Sequence, residues 1–348
     1  MNRETLSTAI PVTFQNKEGL RLFGILHQPA KPREGAETIL ILSPGVKMRV
    51  APHRLYVKLA ERFVAMGHPV LRFDFHGLGD AEGAAPETLL ADFYCATQFG
   101  RYVDDTVAAM DWMQRTYGTR RFIAAGLCGG ALTGLLTAAN DARIVALCAI
   151  SIPVILDGSN RDAARYMTSS QLTDIRTGYW RKLRGAEWRS WVRLLTFRSD
   201  FRMIARTLFA PVQARIRRAQ PAKAEPENAQ TGVQPDNTNP LFAPAFRSMV
   251  STSRQVLLVF AESDRLFWEF EEKFLRRHGP ALERYAASYR VHVTPQANHI
   301  FSSSAWQDDL FEQCCRWLGE RAAGTGQRAA SAAPAVGVRE KLTIGERA

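Results

Sequence analysis

The sequence predicts an α/β protein: an eight-stranded, mostly parallel sheet flanked by helices, with a helical cap inserted after the sixth strand. Three observations predict it. Short apolar runs alternate with amphipathic stretches of helical period along most of the chain. The apolar runs in the middle of the chain are continuous rather than alternating, as strands covered on both faces must be. The alternation stops at Pro153 and resumes near Gln255. With 348 residues, 46% of them hydrophobic, the chain can bury one large core and still carry an insertion.

The elements follow in order. Thr8 to Phe14 and Leu20 to His27 alternate in polarity and are joined by Asn16-Lys17-Glu18-Gly19, the signature of an antiparallel pair. Thr38 to Leu42 is a buried strand. Pro52 to Met66 is an amphipathic helix ended by Gly67, and His68 to Phe73 is the next strand. Arg101 to Tyr117 has Val103, Val107, Met110 and Met113 at helical spacing. A short strand from Arg121 then runs into Gly126, followed by a helix over Ala131 to Asn140 and a strand over Ile144 to Ile150. After the insertion come a strand at Gln255 to Phe260, a helix at Trp268 to His278, a strand at Tyr289 to Thr294 and a closing helix at Trp306 to Arg321. Strands alternating with helices imply right-handed crossovers.

This divides the chain into a first core segment (1–155), a cap (156–250), a second core segment (251–321) and a disordered tail (322–348). The cap is aromatic and basic: Trp180, Trp188 and Trp191 stand among Arg181, Lys182, Arg184 and Arg189. Residues 219–240, rich in Pro, Ala, Asn, Gln and Glu, predict a disordered linker. The net charge of +11 is localised. Between Arg161 and Gln220 there are 14 Lys+Arg against 4 Asp+Glu. Such a segment is either a solvated face or a contact for an anionic membrane surface or acidic substrate. No nucleic-acid-binding module is present, so no nucleic-acid partner is expected.

The stretch from Arg121 to Gly130 organises the chemistry. It reads strand, Gly126-Leu127-Cys128-Gly129-Gly130, helix. A nucleophile on such a turn sits on strained backbone and needs small neighbours on both sides, and Gly126 and Gly130 supply them. The alternative is an inert, buried cysteine before a tight turn. Acyl transfer also needs a base and a group to orient it. In α/β-hydrolases the order is nucleophile, acid, histidine. Asp264 follows the strand ending at Phe260, and His299 follows the strand ending at Thr294. Both therefore lie beyond the C-terminal edge of the sheet, where open α/β folds bind ligands. Glu262 and His292 are the rivals. His292 lies inside its strand, and Asp264 also suits a helix N-cap.

The expected triad is therefore Cys128, Asp264 and His299. The oxyanion donors are the N–H of Gly129 and, from the loop Ser43 to Arg49, that of Val46. Gly45, Trp180 and Trp188 are expected to line the substrate pocket. The Asp74 to Asp80 loop is read as structural, with no role for His76.

At these residues the chain resembles the α/β-hydrolase superfamily. Within it, Met48 to His53 and Arg54, Val70 to Gly83, Gly126-Leu127-Cys128 and Tyr179-Trp180-Arg181-Lys182-Leu183 resemble the exosortase A system-associated hydrolases, a class with a cysteine elbow. That resemblance implies a hydrolase encoded with exopolysaccharide and protein-sorting systems. It departs at Gly129-Gly130, where that class carries an acidic residue and alanine, and in its longer cap. Gly-x-Cys-x-Gly also resembles polyhydroxyalkanoate synthases and dienelactone hydrolases, which use a Cys-Asp-His triad.

Three functions follow as expectations. One is a hydrolase of esters or thioesters acting on a small-molecule acyl substrate. The second is an acyltransferase through the same thioester. The third is a hydrolase-like scaffold whose cap contacts an anionic membrane. None calls for a cofactor or a metal, and the five cysteines show no Cys-x-x-Cys pair. Cys148, Cys314 and Cys315 are expected to pack. The absence of a signal-like N-terminus, and an apolar stretch (Ile144 to Leu156) too short to span a bilayer, suggest a cytoplasmic protein.

Overall fold

The computed structural model describes residues 7–85, 87, 89–156 and 237–331, with side chains as far as Ala323. Most of the expected cap, Trp180 and Trp188 included, the basic segment, the linker as far as 236 and the tail from 332 lie outside the described residues.

Eight strands form one sheet: β1 (Ser7–Gln15), β2 (Arg21–Pro29), β3 (Thr38–Leu42), β4 (Val70–Phe73), β5 (Phe122–Leu127), β6 (Ile144–Ile150), β7 (Gln255–Ala261) and β8 (Tyr289–Thr294). Their spatial order is β1-β2-β4-β3-β5-β6-β7-β8. β1 pairs antiparallel with β2, and β2 antiparallel with β4; every pairing from β4 to β8 is parallel. The β1–β2 turn is local chemistry. The Asn16 side-chain oxygen accepts the N–H groups of Glu18 and Leu20, both at 3.0 Å, and Gly19 takes φ 79°.

Helices cover both faces. Along β5, Phe122 and Ala124 face a cluster with Met110, Leu132, Leu135 and Phe246. Ile123, Ala125 and Leu127 face the other cluster, with Tyr56, Leu59, Phe311 and Trp317. The period-2 alternation of a strand thus serves two cores. α1 (Leu55–Ala65) and α8 (Ser304–Ser331) cover one face. α2 (Leu90–Gln98), α3 (Val103–Tyr117), α4 (Gly129–Asn140) and α5 (Phe242–Ser251) cover the other.

Five expectations change. α2 is a nine-residue helix where no element was expected. α5 falls inside the expected cap (156–250) but belongs to the core. Its Phe242, Phe246 and Met249 are buried, and both phenylalanines pack edge-on against Phe274 with ring centroids 4.8 and 5.3 Å away. Burying each such side chain contributes about 1.5–3 kcal/mol. The linker expected to reach 240 is ordered at its end: Thr238 bridges Ile155, and Asn237 and Asn239 are buried. The closing helix does not end at Arg321 but reaches Ser331, because the Ala-rich sequence beyond Arg321 suits a helix. The helix expected from Trp268 starts earlier as α6 (Arg265–Glu269), widens into a π turn over Phe270–Leu275 and continues as α7 (Arg276–Leu282). The earlier start has a local cause: Asp264 caps it by accepting the Leu266 N–H at 3.2 Å.

Candidate active site

Cys128 stands between β5 and α4 with φ 53° and ψ −118°, a backbone region that costs a non-glycine residue energy. Its surroundings over-determine that conformation. Its N–H donates to the Ile150 carbonyl of β6 (2.8 Å), and its own carbonyl accepts from Leu132 in the first turn of α4 (3.1 Å). The Leu127 N–H donates to the buried Tyr56 hydroxyl at 2.6 Å. The flanking glycines are steric necessities. A Cβ at Gly126 would lie 2.5 Å from the Gly130 carbonyl carbon, and one at Gly130 would lie 2.3 Å from the Leu42 oxygen. At position 130 the helix start lies against the end of β3.

β7 and β8 deliver the other two groups. His299 Nδ1 lies 2.7 Å from Asp264 Oδ2. Asp264 is buried and serves twice, since its Oδ1 caps α6. His299 and the Cys128 side chain border the same cavity. Burial alone would lower the imidazole pKa. The hydrogen bond to Asp264, together with the charge of Asp264 and the neighbouring Cys128 side chain, outweighs burial and raises it to about 10. All three expected triad residues therefore come together.

The rivals are engaged elsewhere. His292 Nε2 lies 2.8 Å from Asp309 Oδ2 on α8, and Thr294 donates to the same oxygen at 2.7 Å. Glu262 accepts the Gln296 N–H at 2.7 Å and so ties the loops after β7 and β8 together. His76 is held by Asp105 at 2.8 Å, and Asp105 also accepts from Asn16 at 2.9 Å. Cys148 and Cys314 are buried with their sulfurs 3.3 Å apart, between β6 and α8.

The loop after β3 is clamped from outside. The Arg49 guanidinium pairs with the fully buried Asp74, and with Asp80 at 2.6 Å. Asp74 also accepts the N–H groups of Arg49 (2.5 Å) and Asp80 (3.1 Å). A Cβ at Gly79 would lie 2.2 Å from Asp74 Oδ2, so glycine is required there. The Asp74 to Asp80 loop is structural, and what it holds is the segment carrying Gly45 and Val46. Within that segment the Gly45 N–H turns back onto the Ser43 carbonyl at 2.7 Å, and Val46 is partly buried against the core. Gly45 itself packs behind Gly129 rather than lining the pocket: a Cβ on it would lie 3.3 Å from the Gly129 Cα.

Among the described residues, a cavity of about 350 Å³ opens on Cys128, Gly129, Asp264 and His299. Its remaining wall includes Tyr94, Thr97 and Gln98 of α2, Pro153 and Leu266. The α2 residues were missed from sequence. Their signal was slight: Phe93 and Thr97, one turn apart, behind Asp92 in the first turn. The stems of the insertion meet here. Gln98 donates to the Ile155 carbonyl (2.7 Å), and Asn239 donates to the Gln98 carbonyl (2.8 Å). No described helix is long and apolar enough to cross a membrane.

Structures with the same fold include an esterase from Pyrococcus furiosus, 17% identical, with a TM-score of 0.53 over 92% of this chain and 94% of that one. A hypothetical protein from Pseudomonas aeruginosa is 16% identical, with a TM-score of 0.50 over 92% and 95% of the two chains. No curated protein matches the sequence. The sheet order, the strained elbow and the placement of Asp264 and His299 agree with the sequence match to the alpha/beta hydrolase family, which spans residues 41–313. The chain belongs to that family.

Proposed function

We propose that the protein hydrolyses a carboxylic ester or thioester through a covalent acyl-enzyme on Cys128, with His299 as base and acid and Asp264 as its orienting partner. The observation that carries this reading is His299, held by Asp264 at 2.7 Å, opening with Cys128 and Gly129 onto one cavity beside the strained elbow. With Nδ1 facing the carboxylate, the second ring nitrogen serves the thiol. His299 takes the thiol proton, and Asp264 stabilises the resulting imidazolium. The thiolate sulfur bonds to the acyl carbon while the carbonyl electrons move onto oxygen. The Gly129 N–H, at the start of α4, and the Val46 N–H hold that oxyanion. Collapse expels the leaving group, which takes the proton from His299. Water, deprotonated by His299, then cleaves the thioester, and the acid departs as the thiol is restored.

The substrate is a small acyl compound, in keeping with the size of the cavity. The exosortase-associated class remains part of this reading on the sequence motifs. Two of them, carrying Arg49 and Asp74 to Asp80, build the clamp on the oxyanion loop.

The test is intact mass after brief exposure to short and medium p-nitrophenyl esters. Wild type is expected to gain one acyl group and Cys128→Ala none. Full turnover by Cys128→Ala would overturn the reading. Adding a polyol acceptor separates hydrolysis from acyl transfer by product.

A further inference from the structure

We infer that Thr97, on α2, is a positioning residue that sets the spacing of the two oxyanion donors; the inference rests on the Cys128 reading above. Gly45 and Gly129 face each other across the elbow, and each stands beside or carries one proposed donor. Neither has a side chain, and the notch between them is filled from a third element. A Cβ at Gly45 would lie 3.1 Å from Thr97 Cγ2, and a Cβ at Gly129 would lie 3.0 Å from the same methyl. The glycines are also close to each other, with 3.1 Å from a Gly129 Cβ to the Gly45 Cα. One methyl group therefore touches both loops where they converge.

That methyl has a fixed position. Thr97 is 1% exposed, and its hydroxyl donates to the Phe93 carbonyl one turn back at 3.0 Å. This bond locks the side-chain rotamer and turns Cγ2 toward the glycines. The end of α2 is itself anchored, because Gln98 is bonded to Ile155 and by Asn239. A shift of α2 would be passed to the glycines, and loss of the methyl would let the loops close on each other. Oxyanion stabilisation depends on donors held in place before the charge develops. Thr97 thus acts through Gly45 and Gly129 and needs no contact with the reacting atoms.

Two variants separate the methyl from the hydroxyl. Thr97→Ser removes Cγ2 and keeps the bond to Phe93. Thr97→Val keeps a methyl in place and removes that bond. The measurement is the acylation rate of Cys128 by a p-nitrophenyl ester, read by intact mass, together with kcat, KM and Tm. Thr97→Ser is expected to acylate about tenfold more slowly, less than the loss of a whole oxyanion donor. Its KM and Tm should stay near wild type. Thr97→Val is expected to restore most of the rate, even at a lower Tm. The inference is overturned if Thr97→Ser acylates at the wild-type rate, or if Thr97→Val is as slow as Thr97→Ser. The two levels of failure differ. Wild type forming no adduct defeats the Cys128 reading and this inference with it. Wild type and Thr97→Ser forming adduct equally fast defeats this inference alone.

Discussion

Replacing Gly130 with alanine tests the steric argument for the elbow. The added methyl would lie 2.3 Å from the Leu42 oxygen and 2.6 Å from the Ser43 oxygen. Ordinary contacts are near 3.5 Å, so about 1 Å must be recovered. Both atoms are backbone at the end of β3, and no side-chain rotation relieves the clash. Overpacking in a core costs about 1–3 kcal/mol, and this site belongs at the upper end. For a domain of this size each kcal/mol lowers Tm by about 2–4 °C, so Gly130→Ala should melt about 6–12 °C below wild type. The same displacement pushes the Ser43 to Val46 segment away from Gly129, so Cys128 acylation should slow as well. Thermal melting by circular dichroism and adduct formation by mass are the assays. An unchanged Tm with an unchanged acylation rate would refute the claim that this position requires glycine.

Two further outcomes follow from the titrating groups. Asp264→Asn can keep an oxygen for the α6 cap but loses the charge that helps hold His299 near 10, so acylation of Cys128 should fall about 10³–10⁴-fold. The imidazolium of His299 should then lose its proton at a lower pH than the value of about 10 in wild type; an NMR titration of His299 identical to wild type would contradict this. His27 is buried and accepts from Arg72 Nε at 2.9 Å. Burial first, and the Arg72 charge second, lower its pKa to about 4. Because the folded value lies below the ordinary 6.5, this contribution to stability is complete above about pH 6.5. It is lost as pH falls toward 4 and the unfolded chain takes up the proton, a loss of at most about 3 kcal/mol. His27→Gln should lose less stability than wild type between about pH 7 and about pH 4.5, measured by urea unfolding; equal losses would rule His27 out as the cause.

Much of the site was legible because its chemistry is local. The glycines at 126 and 130 announce a turn that only small residues permit, and the strand before and helix after Cys128 are readable from a few neighbours. Asp264 and His299 were findable because each follows a strand whose end is visible in the apolar pattern. α2 was not legible. It buries only Phe93, Thr97 and Gln98, so its hydrophobic period is faint. α5 was hidden by its position after a polar segment, although its Phe242, Phe246 and Met249 repeat is strong.

The sequence by itself determined the inventory: a strained cysteine, an acid, a histidine and their order along the chain. Only the tertiary structure shows what holds each histidine: His299 lies 2.7 Å from Asp264, and His292 lies 2.8 Å from Asp309. Placing β6 between β5 and β7 sets the loop after β7 beside the elbow, while α8 claims His292 from the other face. The same packing brought Thr97 against Gly45 and Gly129. The physical reason is range. Backbone strain, capping and strand period are settled among neighbours in sequence. Which distant side chains meet depends on the order and register of the whole sheet, and no single stretch of the chain contains that.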